Sequence, residues 1–166
     1  MVKEKYIIRE IKETELNILK TMLYEAIYQP VGIELLPIDV INTPEISVYI
    51  DDFLKKKDDY CLVADVDGII VGAVWVRILA GEIKGYGNIN DKTPEFSVSL
   101  LKEYRNQGIG TSLMKKMIEY LKEKGYEQAS LSVSKDNYAV RMYEDLGFNI
   151  IDEKKDDYIM LLKLMY

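Results

Sequence analysis

Residues 103–114 read EYRNQGIGTSLM, and the glycines at 108 and 110 decide how the rest of the chain is organised. They separate an apolar, strand-like run from about Glu95 to Leu101 from a helical one. In the helical run Ile109, Leu113, Met117 and Leu121 recur at spacing four, with Lys115, Lys116, Glu119, Lys122 and Glu123 on other faces. A glycine-rich turn entering a helix gathers unpaired N–H groups at the positive end of the helix dipole, which suits a phosphate. The alternative is that the glycines serve only a tight turn and close helix–sheet packing. Two phosphate motifs are excluded by spacing. A Walker loop needs Gly-Lys-Ser/Thr, whereas Gly110 is followed by Thr111 and Ser112, and the dinucleotide fingerprint needs a third glycine where Leu113 stands.

Upstream, KYIIREI reads as a first strand, and Leu16, Leu19, Leu23 and Ile27 place an amphipathic helix after it. A long apolar loop over 29–44 holds three of the four prolines, and Pro44 is placed to open a second helix, EISVYIDDFLKKK. Asp67-Gly68 between two apolar runs predicts an antiparallel hairpin. A glycine-bearing loop over 80–93 leads into the strand at Glu95. Downstream, Gly125 caps the long helix, EQASLSVS is a strand, DNYAVRMYEDL a short helix, and the remainder a hairpin turning through the charged run DEKKDD. The apolar end YIMLLKLMY is either a central strand or part of an interface. With no repeat and no linker, residues 1–166 read as one domain of mixed α/β (α+β) class, with a largely antiparallel sheet and one parallel strand–helix–strand crossover.

Composition narrows the chemistry. There is no histidine and one cysteine, so an intrachain disulfide is excluded, the usual zinc sets cannot be assembled and no metal is expected. Cys61, in the apolar run YCLVADV, reads as a buried thiol. The net charge of −6 disfavours nucleic acid as a partner. No apolar run approaches the roughly 18–20 residues of a membrane helix, so no membrane association and a cytoplasmic location are expected. Proton transfer near neutral pH falls to carboxylates, Tyr, Lys, a terminal amine or water.

Arg105-Asn106-Gln107-Gly108-Ile109-Gly110 spells R-x-x-G-x-G between an apolar strand and an amphipathic helix. This resembles the acetyl-CoA signature of the GCN5-related N-acetyltransferase (GNAT) superfamily. About thirty residues on, SVSKDNYAVRMYEDLGF is similar to that family's second cofactor motif, in which an Asn opens a short helix and a Tyr followed by Gly-Phe closes it. The resemblance extends over nearly the whole chain, with 29–44 and 80–93 in parts that vary freely. It implies a GNAT-like sheet of six to seven strands flanked by about four helices, with acetyl-CoA as cosubstrate. It also implies that backbone N–H groups from Asn106, Gln107, Gly108, Ile109, Gly110 and Thr111 cradle the pyrophosphate. Arg105 then supplies charge or fixes the loop, and Asn137 is an N-cap, a cofactor contact or both. In the family the strand ending near Ser99–Leu101 is splayed from the strand containing Leu131, so the resemblance makes the backbone groups of Ser99, Leu100 and Leu101 candidates for pairing with pantetheine.

The activity implied is transfer of an acetyl group to a primary amine on a small molecule or peptide. Tyr143 matches the family's motif tyrosine and is the candidate donor to the departing sulfur; otherwise it is an aromatic core residue. Glu95 is the candidate base, with Glu34 behind it. Trp75 and Arg77, on one face of the neighbouring strand, either shape the acceptor pocket or belong to the core. A noncatalytic acyl-CoA-binding regulator of the same fold and a plain anion-binding domain are the competing readings. Homodimerisation is an expectation from the family.

Overall fold

The computed structural model describes residues 5–165. Seven strands form one mixed sheet in the order β1-β2-β3-β4-β5-β7-β6. They are β1 (Ile7–Glu10), β2 (Tyr60–Val66), β3 (Ile69–Arg77), β4 (Glu95–Leu100), β5 (Gln128–Ser134), β6 (Asn149–Glu153) and β7 (Asp157–Lys163). Four α-helices accompany them: α1 (Ile18–Ala26), α2 (Pro44–Ser47), α3 (Ile109–Glu123) and α4 (Ala139–Asp145). Neighbouring strands are antiparallel except β4 and β5, which are joined through α3 and run parallel. Among the described residues no helix is long and apolar enough to cross a membrane.

Local chemistry accounts for the connections. Asp67 and Gly68 both take positive φ (51° and 87°), the requirement of a two-residue turn whose twist matches its strands, and Asp65 Oδ1 accepts the Gly68 N–H at 2.6 Å. Helix α3 ends with Gly125 at φ 85°; its N–H goes to Lys122 O and that of Tyr126 to Leu121 O, satisfying two terminal carbonyls. The predicted face of α3 is the buried one: Ile109, Leu113, Met117 and Leu121 are joined there by Met114. Residues 158–163 of YIMLLKLMY lie in β7, enclosed between β5 and β6, so this part of the apolar end is an interior strand; Tyr166 lies outside the described residues.

Alternation along the strands divides the apolar residues between two cores. Val74, Val76 and Phe96 face α3 together with Tyr143 and Phe148, whereas Ala73 and Trp75 face α1 and the 41–53 segment with Leu19, Met22, Tyr49 and Phe53. Cys61 lies in the second core, where burial pushes its thiol up, as expected of an inert cysteine.

The second helix is where expectation and structure part. Only Pro44–Ser47 is helical, and turns carry the chain to β2, with Asp52 and Leu54 at positive φ. The cause is two side chains on β3. Trp75 Nε1–H donates to Tyr49 O (3.1 Å), and Arg77 Nη1 donates to Val48 O and Asp51 O (2.8 Å each), drawing these carbonyls away from a helical ladder. Arg77 also forms a bidentate pair with Asp59 (3.1 and 2.9 Å), both side chains being almost fully buried. Trp75 and Arg77 are therefore core residues that anchor the 48–51 segment. Removing one partner of such a pair leaves a buried charge exposed to no compensation. Arg77→Ala is accordingly expected to lower unfolding stability by about 3–5 kcal/mol, read as the midpoint shift in urea denaturation.

Candidate active site

Strands β4 and β5 meet at a single position. Glu95 pairs with Ser130, whose N–H reaches Pro94 O at 2.9 Å, and beyond that point the strands separate. A cavity of about 330 Å³ occupies the opening. Its walls are Phe96–Val98 of β4, Leu131–Ser134 of β5, Leu23, Ala26 and Ile27 at the end of α1, and Tyr49 and Tyr86 from the connecting segments. Asn137 and Tyr143 line it from the α4 side.

Backbone direction follows from register. The Leu101 N–H donates to Val71 O, so the odd-numbered residues of β4 turn their N–H and C=O groups to β3 and the even-numbered ones turn theirs to the opening. Of Ser99, Leu100 and Leu101, the three candidates for pairing with pantetheine, only Leu100 turns its backbone groups to the opening, as Val98 does; Ser99 and Leu101 face β3. The correction is one of strand phase, which apolar composition does not encode. The Ser99 side chain is likewise committed, its hydroxyl donating to Met22 O at 2.7 Å.

At the wide end of the opening the expected glycine loop enters α3. Asn106 and Gly108 take positive φ (62° and 85°), and the N–H groups of Asn106 through Thr111 have no hydrogen-bond partner among the described residues, the first helical bond being Ser112 N–H to Gly108 O. A Cβ at Gly108 would meet nothing within 4 Å, so that face of the turn is open, whereas one at Gly110 would come to 3.6 Å from Leu100 Cδ1. The requirement for glycine is therefore conformational at Gly108, whereas a Cβ at Gly110 would make only ordinary contact with Leu100. Arg105 does not point into the cradle. Its Nε donates to Leu100 O (3.1 Å) and its Nη2 pairs with Glu25 (2.9 Å), tying the loop to β4 and α1. Asn137 Oδ1 accepts the Ala139 N–H (2.9 Å), fixing the start of α4.

Glu95 lies at the narrow end, 2% exposed. Its Oε2 accepts the Tyr49 hydroxyl (2.5 Å) and the Gly87 N–H (3.1 Å), and its Oε1 is buried with no hydrogen-bond partner. Burial raises the carboxyl from its ordinary 4.5 to about 7, against the opposing effect of the two donors. Arg77, its partner across β3, is turned to Asp59 and gives it no ion pair. The run GYGN explains itself here. A Cβ at Gly85 would collide with Glu95 Oε1, and one at Gly87 would stand 2.8 Å from the Leu131 backbone. Tyr49 and Tyr86 were not singled out by sequence: Tyr49 sits in a stretch that reads as helix, and its bond to Glu95 spans 46 positions. Glu34 is exposed, in the apolar 29–44 loop, and does not line the cavity.

Tyr143 is the other ionisable group of interest. Burial pushes its phenol up to about 12, so it stays protonated at neutral pH. Its ring meets Phe148 edge-on (5.9 Å), which meets Phe96 in the same manner (5.6 Å). Among the described residues the phenol has no hydrogen-bond partner, and it belongs to the cavity wall. A buried carboxyl near neutrality and a protonated phenol therefore share one chamber, which can take a proton at one end and donate a hydrogen bond at the other.

Residues 26–148 match the family model described as Acetyltransferase (GNAT) family. The chain belongs to the GNAT family. An N-alpha-acetyltransferase of Saccharolobus solfataricus is 31% identical over 132 residues, covering 75% of this chain and 78% of that one. The [ribosomal protein bS18]-alanine N-acetyltransferase of Haemophilus influenzae is 38% identical over 68 residues, 41% of this chain. That alignment spans about half the relative's length (47%). The GNAT fold is matched over 96% of this chain by the PaiA N-acetyltransferase of Thermoplasma acidophilum. That protein was solved in complex with coenzyme A (TM-score 0.67, 23% identity, 99% of that chain). Among the described residues no group of three or more His, Cys, Asp or Glu is gathered as for a metal ion.

The position of Glu95 has a consequence for stability. With a carboxyl pKa higher in the folded than in the unfolded chain, the folded state binds more protons between about pH 4.5 and 7, so stability falls as pH rises through that window. The displacement corresponds to about 3 kcal/mol, and Glu95→Gln should abolish this slope, leaving the variant the more stable form at pH 8. Urea unfolding of both proteins at pH 4.5, 6 and 8 measures it.

Proposed function

We propose that this GNAT chain is an acetyl-CoA-dependent N-acetyltransferase that transfers acetyl directly to a primary amine, within the cytoplasm. The observation that carries the reading is the chamber at the β4–β5 opening, with Glu95 at one end and Tyr143 in its wall, together with the unpaired backbone N–H groups of Asn106–Thr111 at the start of α3. Acetyl-CoA supplies the activated acetyl thioester when bound.

The residues present fit that cosubstrate. The N–H groups of Asn106–Thr111, at the N-terminus of the 15-residue α3, hold the pyrophosphate, and the αL turn at Gly108 keeps their approach clear of Cβ atoms. Val98 and Leu100 present backbone groups to the pantetheine arm as a neighbouring strand would. A donor among them polarises the thioester carbonyl. Glu95, ionised above about pH 7, takes the proton of the attacking amine. Tyr143 is a weaker acid than a thiol, whose ordinary pKa is about 8.5, so its task is to stabilise the departing sulfur by a hydrogen bond. Asn137 sets the start of the helix that carries Tyr143. The acceptor is an amine on a small molecule or a peptide terminus; the peptide option is supported by the named activities of the Saccharolobus and Haemophilus relatives.

A panel of phenylethylamine, spermidine and an alanine-first hexapeptide, followed by free-thiol release from acetyl-CoA, tests the activity; release no faster with any of them than without amine would refute it. Two variants divide binding from chemistry. Gly108→Val is expected to weaken acetyl-CoA at least tenfold by calorimetry while keeping the fold, because a branched residue disfavours φ 85° and fills the open face of the loop. Tyr143→Phe should lower kcat by about 10²–10⁴-fold in single turnovers with cosubstrate affinity nearly unchanged, since only the hydroxyl is lost.

A further inference from the structure

The carboxylate of Glu95 is enclosed. Oε1 is buried beneath Gly85 without a partner, and Oε2 already accepts two donors, the Tyr49 hydroxyl at 2.5 Å and the Gly87 N–H at 3.1 Å. A carboxylate oxygen has two lone-pair directions, so Oε2 is saturated, and Oε1, though unpartnered, has almost no accessible surface beneath Gly85. Tyr49 does offer the cavity an acceptor. Its ring lines the chamber, and its hydroxyl donates one proton, to Glu95, while accepting one, from the Tyr86 N–H at 2.8 Å. A hydroxyl has two lone pairs, so one acceptor position on Tyr49 Oη is left.

We propose that Tyr49 is a catalytic relay: the acceptor, arriving as an ammonium, gives one proton to Tyr49 Oη as the Tyr49 hydroxyl proton passes to Glu95 Oε2. The inference rests on Glu95 being the base. The balance is simple: one N–H bond breaks and one O–H bond forms on Tyr49, while the original Tyr49 O–H breaks and a new one forms on Glu95. The carboxylate ends protonated, the phenol ends as it began, and the nitrogen lone pair is free to attack the thioester carbon. No histidine exists in the chain to do this work.

Several features hold Tyr49 to a relay and not to independent base chemistry. Burial, followed by the charge and hydrogen bond of Glu95, pushes its phenol well above the ordinary value of 10, so it carries no charge of its own and passes a proton only as it receives one. Its backbone carbonyl is held by Trp75 Nε1–H, and the flanking carbonyls of Val48 and Asp51 by Arg77. The ring stacks on Tyr86 (6.4 Å between centroids, 16° between planes). The other ionisable groups around Glu95 do not replace it. Tyr28, Tyr86, Tyr143 and Asp157 line the chamber but make no hydrogen bond to Glu95, Ser130 of β5 gives its hydroxyl to Gly87 O, and Arg77 is paired with Asp59.

The test compares wild type, Tyr49→Phe and Glu95→Gln in the full chain, with whichever of phenylethylamine, spermidine and the alanine-first hexapeptide wild type turns over fastest. The measurement is kcat/KM against pH from single-turnover traces, together with a proton inventory in H2O/D2O mixtures. For wild type the relay requires a bowed inventory, two protons moving together. Tyr49→Phe should lose about 100-fold in kcat/KM, bind acetyl-CoA normally, and move its acid limb upward from near pH 7, because the hydroxyl that favours the ionised carboxylate is gone. A linear wild-type inventory overturns the relay whatever the variants do. So does a Tyr49→Phe enzyme that keeps its rate and acid limb while Glu95→Gln is slow, an outcome that leaves Glu95 as a direct base. If Glu95→Gln keeps the wild-type rate and profile, or wild type turns over no amine, the base assignment falls and the relay with it.

Discussion

The contact on which the site depends is the pair formed by Glu95 and Ser130, the one position at which β4 and β5 run in register. Parallel strands joined by a helix would ordinarily continue pairing along their length. Here the two pairing residues also reach to one loop residue: Gly87 gives its N–H to Glu95 Oε2 and takes the Ser130 hydroxyl on its carbonyl at 2.7 Å. Gly87 lies against the Leu131–Ser132 backbone so closely that any Cβ would intrude. The pairing is thereby buttressed at its narrow end, and past it the strands diverge around the chamber.

From that point the two cores take different tasks. The one under α3 carries the edge-to-face series Tyr143, Phe148 and Phe96, so the phenol at the chamber wall is set by packing alone. The other uses polar anchors. Arg77, buried and paired with Asp59, together with Trp75, holds the backbone that positions Tyr49 over Glu95. Buried ion pairs contribute little net stability against well-packed apolar residues, so the value of this one lies in geometry. It converts a would-be helix into a rigid irregular segment that places an aromatic hydroxyl in the site.

The electrostatic character of the chamber follows from the same arrangement. Net charge is −6, yet the cationic groups near the site are spent elsewhere: Arg77 on Asp59 and Arg105 on Glu25. Glu95 is left with neutral donors only, and a carboxyl stabilised by two hydrogen bonds but no cation sits near neutrality instead of far below it. For a chain without imidazole this is a route to proton transfer at physiological pH.

Local chemistry alone determined much of this protein. The Asp67-Gly68 turn, the Gly125 cap, the buried stripe of α3 and the glycine turn that enters it depend on interactions within a few residues, and each was legible in sequence because spacing and φ preference act over that range. Glu95 and Tyr143 were legible only through resemblance to GNAT motifs, and their meeting in one chamber is a fact of the fold. What tertiary structure decided were the long-range choices. Carbonyl capture by Trp75 and Arg77 ended α2 after four residues, the Leu101–Val71 bond set the phase that turns Val98 and Leu100 to the opening, and burial moved Glu95 toward neutrality. Tyr49 stands 46 residues from Glu95 in the chain and 2.5 Å from it in space. No local pattern encodes such a contact, because it exists only once the sheet has brought the two segments together.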